Sequence, residues 1–138
     1  MKHVRYSLPT LFVLILICVC IPSHAMAQGT SDLTIEVGVI CKQVEERAPV
    51  DADTMFSASV GELFCFTKTT GAAEETTISH VWYWGEIERA RLELPVRSIS
   101  WRTYTTKRIQ EHEVGAWRVD ILDAQGTILK TVRFSISP

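Results

Sequence analysis

From residue 33 onward, apolar and polar positions alternate along this chain in short runs. Leu33, Ile35, Val37, Val39 and Cys41 alternate with Thr34, Glu36, Gly38 and Lys42. A period of two marks a strand with one buried face, and it assigns Cys41 to that face. Val60 to Thr67 is apolar on both sides through Leu63, Phe64, Cys65 and Phe66, and reads as a second strand. Between them, the charged stretch Glu45 to Thr54 contains Pro49 and reads as a loop. A third strand spans Thr76 to Trp84. Gly85-Glu86 then forms a two-residue connection with glycine first, which suits a type II′ turn.

The fourth strand, Ile87 to Val96, alternates Ala90, Leu92, Leu94 and Val96 with Arg89, Arg91 and Glu93. Pro95 near its end is tolerated at an edge or a bulge. Ser98 to Thr106 reads as a fifth strand, and Lys107 to Val114 is charged and ambiguous, with room for one helical turn. Ala116 to Leu122 and Thr127 to Ile136 complete the set, joined by a type I turn at Asp123-Ala124-Gln125-Gly126. About seven short strands at this spacing predict an all-β fold, an antiparallel β-sandwich of immunoglobulin-like build. One domain is expected over residues 28–138.

The segment before that domain follows a different rule. Lys2 and Arg5 precede an apolar run from Leu11 to Ile21, Pro22 interrupts it, and Ala25-Met26-Ala27 ends in small residues. This is the layout of a cleavable secretory signal over residues 1–27, with an apolar core short for a bilayer. It predicts a periplasmic or secreted protein with no membrane insertion of the mature chain.

Composition narrows the partners. The formal net charge is −2, from 14 basic and 16 acidic residues, and no Lys/Arg cluster stands out, which argues against nucleic acid. Beyond the leader, Cys41 and Cys65 form an even pair in an oxidising compartment, so a disulfide is expected. The alternative is two separately buried thiols.

The Gly85-Glu86 hairpin fixes an expected register: Trp84 opposite Ile87, Trp82 opposite Arg89, His80 opposite Arg91. Directly opposed residues share a face of the sheet. With Ala90, Leu92, Leu94 and Val96 inward, His80 and Trp82 face out beside Arg89 and Arg91. That row of imidazole, indole and guanidinium groups is the leading candidate contact surface. Arg102 and Tyr104, projecting outward if Trp101 faces the core with Ile99, would extend it. A bulge in the ribbon would instead turn the same side chains inward.

Reactive chemistry is not evident. Glu111-His112-Glu113 reads as a solvated loop, because adjacent residues on an extended chain diverge and no further His or Cys joins them; no metal site is expected. No serine or cysteine sits in a nucleophile pattern, and the glycines stand alone at turns rather than in a phosphate loop. No cofactor and no enzymatic activity are expected.

Taken in order, several stretches resemble a bacterial secreted domain-of-unknown-function family, DUF2914. They are Cys41 to Pro49, Val60 to Thr67, His80-Val81-Trp82-Tyr83-Trp84, Trp101 to Lys107 and Gly115-Ala116-Trp117-Arg118-Val119, with the Asp123–Gly126 turn and the Phe134 strand. The similarity covers roughly residues 35 to 137. Gly85-Glu86 replaces the Asn-Gly-like turn usual in the family. The resemblance implies an envelope or extracellular location and a compact β-fold; it supplies no activity. The reading that follows is a non-catalytic binding module for envelope glycan or extracellular polysaccharide, working through an aromatic-Arg face. The alternative is a structural subunit that docks onto a protein partner in a cell-envelope assembly.

Overall fold

Every regular element in the computed structural model, which describes residues 32–138, is a strand, as the period-two runs require. The leader expected at residues 1–27 lies outside the described residues. In chain order the strands are β1 (Thr34–Cys41), β2 (Gln43–Glu45), β3 (Ala48–Val50), β4 (Met55–Ser57), β5 (Glu62–Thr70), β6 (Thr76–Trp84), β7 (Ile87–Val96), β8 (Ser100–Arg108), β9 (Gly115–Leu122) and β10 (Ile128–Ser137). The seven long ones occupy the expected stretches. The other three are short, and β3 forms inside the segment read as a loop. After β8, the ambiguous segment makes one tight turn, with the Glu113 amide donating to the Gln110 carbonyl at 3.0 Å.

The strands form a three-stranded sheet ordered β1-β5-β8, a five-stranded sheet ordered β4-β10-β9-β6-β7, and a two-stranded ribbon of β2 and β3. All pairings are antiparallel except that of β4 with β10. The core combines Ile40, Leu63 and Cys65 of the smaller sheet with Ile78, Trp82, Val119, Ile121 and Phe134 of the larger. Phe134 meets Trp82 edge-on and stacks on Trp117, with centroids 6.1 and 5.8 Å apart. Such pairs add about 0.5–1.5 kcal/mol each beyond area burial.

The ladders shift register at Arg89, Glu36 and Leu129, and the first two of these bulges decide which of the expected site residues reach this core. In the β6–β7 hairpin the first two pairs are those the turn predicts, Trp84 with Ile87 and Tyr83 with Glu88. Gly85 has φ +57° and Glu86 a negative φ, as a type II′ turn needs. The register then shifts: Trp82 opposes Ala90 and His80 opposes Leu92, leaving Arg89 as the extra residue. One inserted residue reverses the parity of everything beyond it. His80 and Trp82 therefore point inward, and both are 0% exposed. The outward row expected from an unbroken ladder does not exist.

The second bulge lies in β1. Ile35 opposes Thr69 and Val37 opposes Lys68, so Glu36 is the extra residue. Ile40 reaches the core, whereas Val37, Val39 and Cys41 turn to the opposite face, contrary to the continuous alternation read from the sequence. Cys65 opposes Ile40, and Cys41 opposes Phe64, so the two sulfurs leave opposite faces of the sheet. Both cysteines are buried free thiols, and the expected bridge is absent. Burial pushes the Cys65 thiol up to about 12 against the lowering effect of a Thr67 hydrogen bond, and it raises Cys41 as well.

Candidate functional site

The six expected contact residues are divided among four places. His80 lies between the sheets, where its Nε2 meets the Thr67 hydroxyl at 2.7 Å and its Nδ1 the Thr105 hydroxyl at 2.8 Å. The Trp82 indole N–H also donates to the Thr105 oxygen, at 3.1 Å. A neutral imidazole is satisfied here, with one nitrogen donating and the other accepting. Burial pushes the His80 imidazole down to about 4. This polar cluster ties the two sheets together and is sealed from any ligand.

Arg89 and Arg91 are split by their own strand. The Arg91 guanidinium lies outward and donates to Glu88 at 2.7 Å. Arg89, at the bulge, donates to Glu113 at 2.8 Å. Glu113 is 0% exposed, which corrects the reading of Glu111-His112-Glu113 as a solvated loop. Two indoles fasten the same loop: Trp84 donates to the Val114 carbonyl at 2.9 Å and Trp117 to the Glu113 carbonyl at 2.8 Å. Arg89 also lies 5.8 Å from the centroid of the Trp84 ring. The second oxygen of Glu113 is a buried acceptor without a partner among the described residues. Arg89 is thus an internal clamp for the β8–β9 connection.

Arg102 and Tyr104 do project outward, on the face of the three-stranded sheet that turns away from the core. Tyr104 opposes Phe66 and Arg102 opposes Lys68 across the β5–β8 ladder. Trp101 packs partly against the core as expected, but Ile99 is 69% exposed in the turn before β8 and does not join it. The outer face is unusually apolar for an outer face, because the β1 bulge sends Val37, Val39 and Cys41 there beside Phe64 and Phe66. The β2–β3 ribbon covers part of it and leaves Phe66 and Cys41 buried.

Where that cover stops, two clefts remain, and they share Arg47, Phe66 and Arg102. The larger, about 480 Å³, adds Glu36, Lys68 and Pro49 among its walls. The smaller, about 260 Å³, is lined by Val44, Arg47, Phe66, Arg102, Thr103 and Tyr104. Tyr104 is 48% exposed, and its ring rests against Phe64 with centroids 5.6 Å apart. Lys68 is neutralised by Glu36 at 2.8 Å. Neither Arg47 nor Arg102 has a carboxylate within ion-pairing distance among the described residues. Such a surface can hold an oxyanion beside an aromatic ring.

Arg47 and Phe66 escaped the sequence reading for separate reasons. Phe66 looked like core, and only the hairpin packed on it shows which face it occupies. Arg47 stands at the tip of a ribbon that carries no usual turn signal. The two-residue connection Glu46-Arg47 has φ +48° and +63°, a geometry that favours Asn-Gly.

Residues 75–136 match the model of a family described as protein of unknown function, DUF2914. The matched stretch runs from the residue before β6 into β10, so Arg102 and Tyr104 lie within it, and Arg47 and Phe66 outside. A comparison with curated proteins gives no match.

Proposed function

We propose, from the premise that residues 75–136 belong to the DUF2914 family, that the protein is a non-catalytic binding module for envelope glycan or extracellular polysaccharide. On this reading it is exported to the periplasm or beyond by the leader at residues 1–27. Its two packed sheets are taken as a sandwich of immunoglobulin-like build. The ligand lies in the cleft beneath the β2–β3 ribbon, contacted by Arg102, Tyr104 and Arg47. The observation that carries the reading is the half-exposed Tyr104 ring, backed by Phe64, beside two guanidinium groups with no ionic partner among the described residues. An aromatic face supplies contact area at low entropic cost, and the guanidinium forks supply direction. A pull-down on peptidoglycan and polysaccharides tests it, comparing wild type with Tyr104→Ala and Arg102→Ala. Loss of retention in both variants is expected; equal retention by all three proteins would remove the cleft from consideration.

A second reading, a structural subunit docked on a protein partner, draws on β7. This strand ends the five-stranded sheet and exposes Ile87 and Leu92. Its charged residues and Pro95 are the devices by which proteins discourage pairing at an edge, which weakens the case. Crosslinking in intact cells separates the readings, since a docked subunit gives one dominant protein adduct.

A further inference from the structure

We infer that the ligand of this cleft is an acidic sugar polymer, whose carboxylates are gripped by Arg47 and Arg102 while a sugar ring lies on Tyr104. The inference rests on the glycan reading above and specifies its chemistry. The smaller cleft holds two cations and no acidic side chain, in a chain whose net charge is −2. In the larger cleft Lys68 is paired with Glu36 and Glu46 brings a second carboxylate, so the excess of positive charge is concentrated in the smaller cleft, at the two arginines. A planar guanidinium matches a carboxylate through two parallel hydrogen bonds, a pairing that a neutral hydroxyl cannot reproduce.

The backbone supports the same assignment. Glu46 and Arg47 both occupy the left-handed region, where side chains other than Asn and Gly are strained. That turn swings Arg47 into the walls of both clefts. Strain kept at the wall of a cleft is a pattern of ligand-holding segments. A peptide partner fits less well. Peptide recognition leans on an anchor side chain seated in a desolvated pocket, and the aliphatic and phenyl side chains here are Phe66, already buried, and Val44, half-buried on the ribbon.

The test measures binding of the intact protein to polygalacturonate, to the same polymer fully methyl-esterified, and to poly-glutamate. Expected is binding to polygalacturonate that weakens at least tenfold on esterification and at least tenfold in Arg47→Gln/Arg102→Gln. Both arginines are exposed, so an unchanged unfolding midpoint confirms that the variant is folded, and the esterified probe requires no variant at all. Equal binding of the free and esterified polymers overturns the acidic assignment and leaves the glycan module standing. Tighter binding of poly-glutamate than of polygalacturonate overturns the sugar. Failure of the intact protein to retain any glycan, peptidoglycan included, overturns the module and this inference with it.

Discussion

Arg89 shows how one side chain changes meaning once its neighbours are known. On an unbroken ribbon it would stand in an outward row; at the bulge it neutralises a carboxylate with no access to water. Removing it leaves the buried Glu113 side chain without its ionic partner, and breaking a buried pair costs about 3–5 kcal/mol. Arg89 keeps partial solvent access, so Arg89→Ala should destabilise by about 2–3 kcal/mol in urea unfolding. The double variant Arg89→Ala/Glu113→Gln should recover part of that loss; a neutral Arg89→Ala would rule out the clamp. His80 makes a prediction of opposite character. Its folded value of about 4 lies below the 6.5 of the free side chain. As pH falls through 6.5, the unfolded chain binds a proton that the folded protein refuses until about pH 4. Stability therefore drops across that window, by about 3 kcal/mol in all. Denaturation profiles at pH 7 and pH 4 should show this drop in wild type, diminished by that amount in His80→Gln. An identical pH dependence in both proteins would contradict it.

At the scale of elements, the bulges at Glu36 and Arg89 do related work. Each inserts a charged residue that closes an ion pair, to Lys68 and to Glu113, at 2.8 Å. Each also reverses the faces of the strand beyond it. The bulge in β1 makes the outer face of its sheet apolar, and the β2–β3 ribbon is the cover this face requires. The ribbon's turn is locally unfavourable, since left-handed non-glycine residues cost about 1 kcal/mol or more each. Glu46→Asn/Arg47→Gly should therefore raise stability by about 1 kcal/mol while reducing retention on the glycan. Thermal unfolding and the pull-down, run on one preparation, check both halves. A variant that gains stability and binds as well as wild type would show that the strain serves no ligand.

For the whole molecule, the sheets depend on strands from both ends of the chain. The family match contains β6, β7, β9 and most of β10, together with β8, yet β8 pairs with β5 alone. A fragment limited to residues 75–136 would expose Ile78, Trp82 and Val119 where the smaller sheet now lies. It should bind a hydrophobic dye and unfold without a cooperative transition, whereas the chain from residue 32 should unfold in a single step. Cooperative urea unfolding of the fragment would show that the larger sheet is self-sufficient. The cleft has the same dependence, for it takes Arg102 and Tyr104 from inside the matched stretch and Arg47 and Phe66 from outside it.

The seven long strands, the type II′ turn at Gly85-Glu86 and the outward aim of Arg102 and Tyr104 were all legible in the linear order of residues. They depend on alternation and turn chemistry, which act between residues close in the chain. The fates of His80, Trp82, Cys41 and Glu113 were not. The first three depend on a ladder slipping by one residue and the fourth on a loop closing over it, and no local signal marks Glu36 or Arg89 as the residue where a ladder slips. Pairing across strands sets that slip, because only the assembled sheets decide whether an indole or a guanidinium is cheaper to bury. Sequence alone determined that this chain makes strands; tertiary packing chose which side of each strand meets water, since burial is a property of the assembled faces.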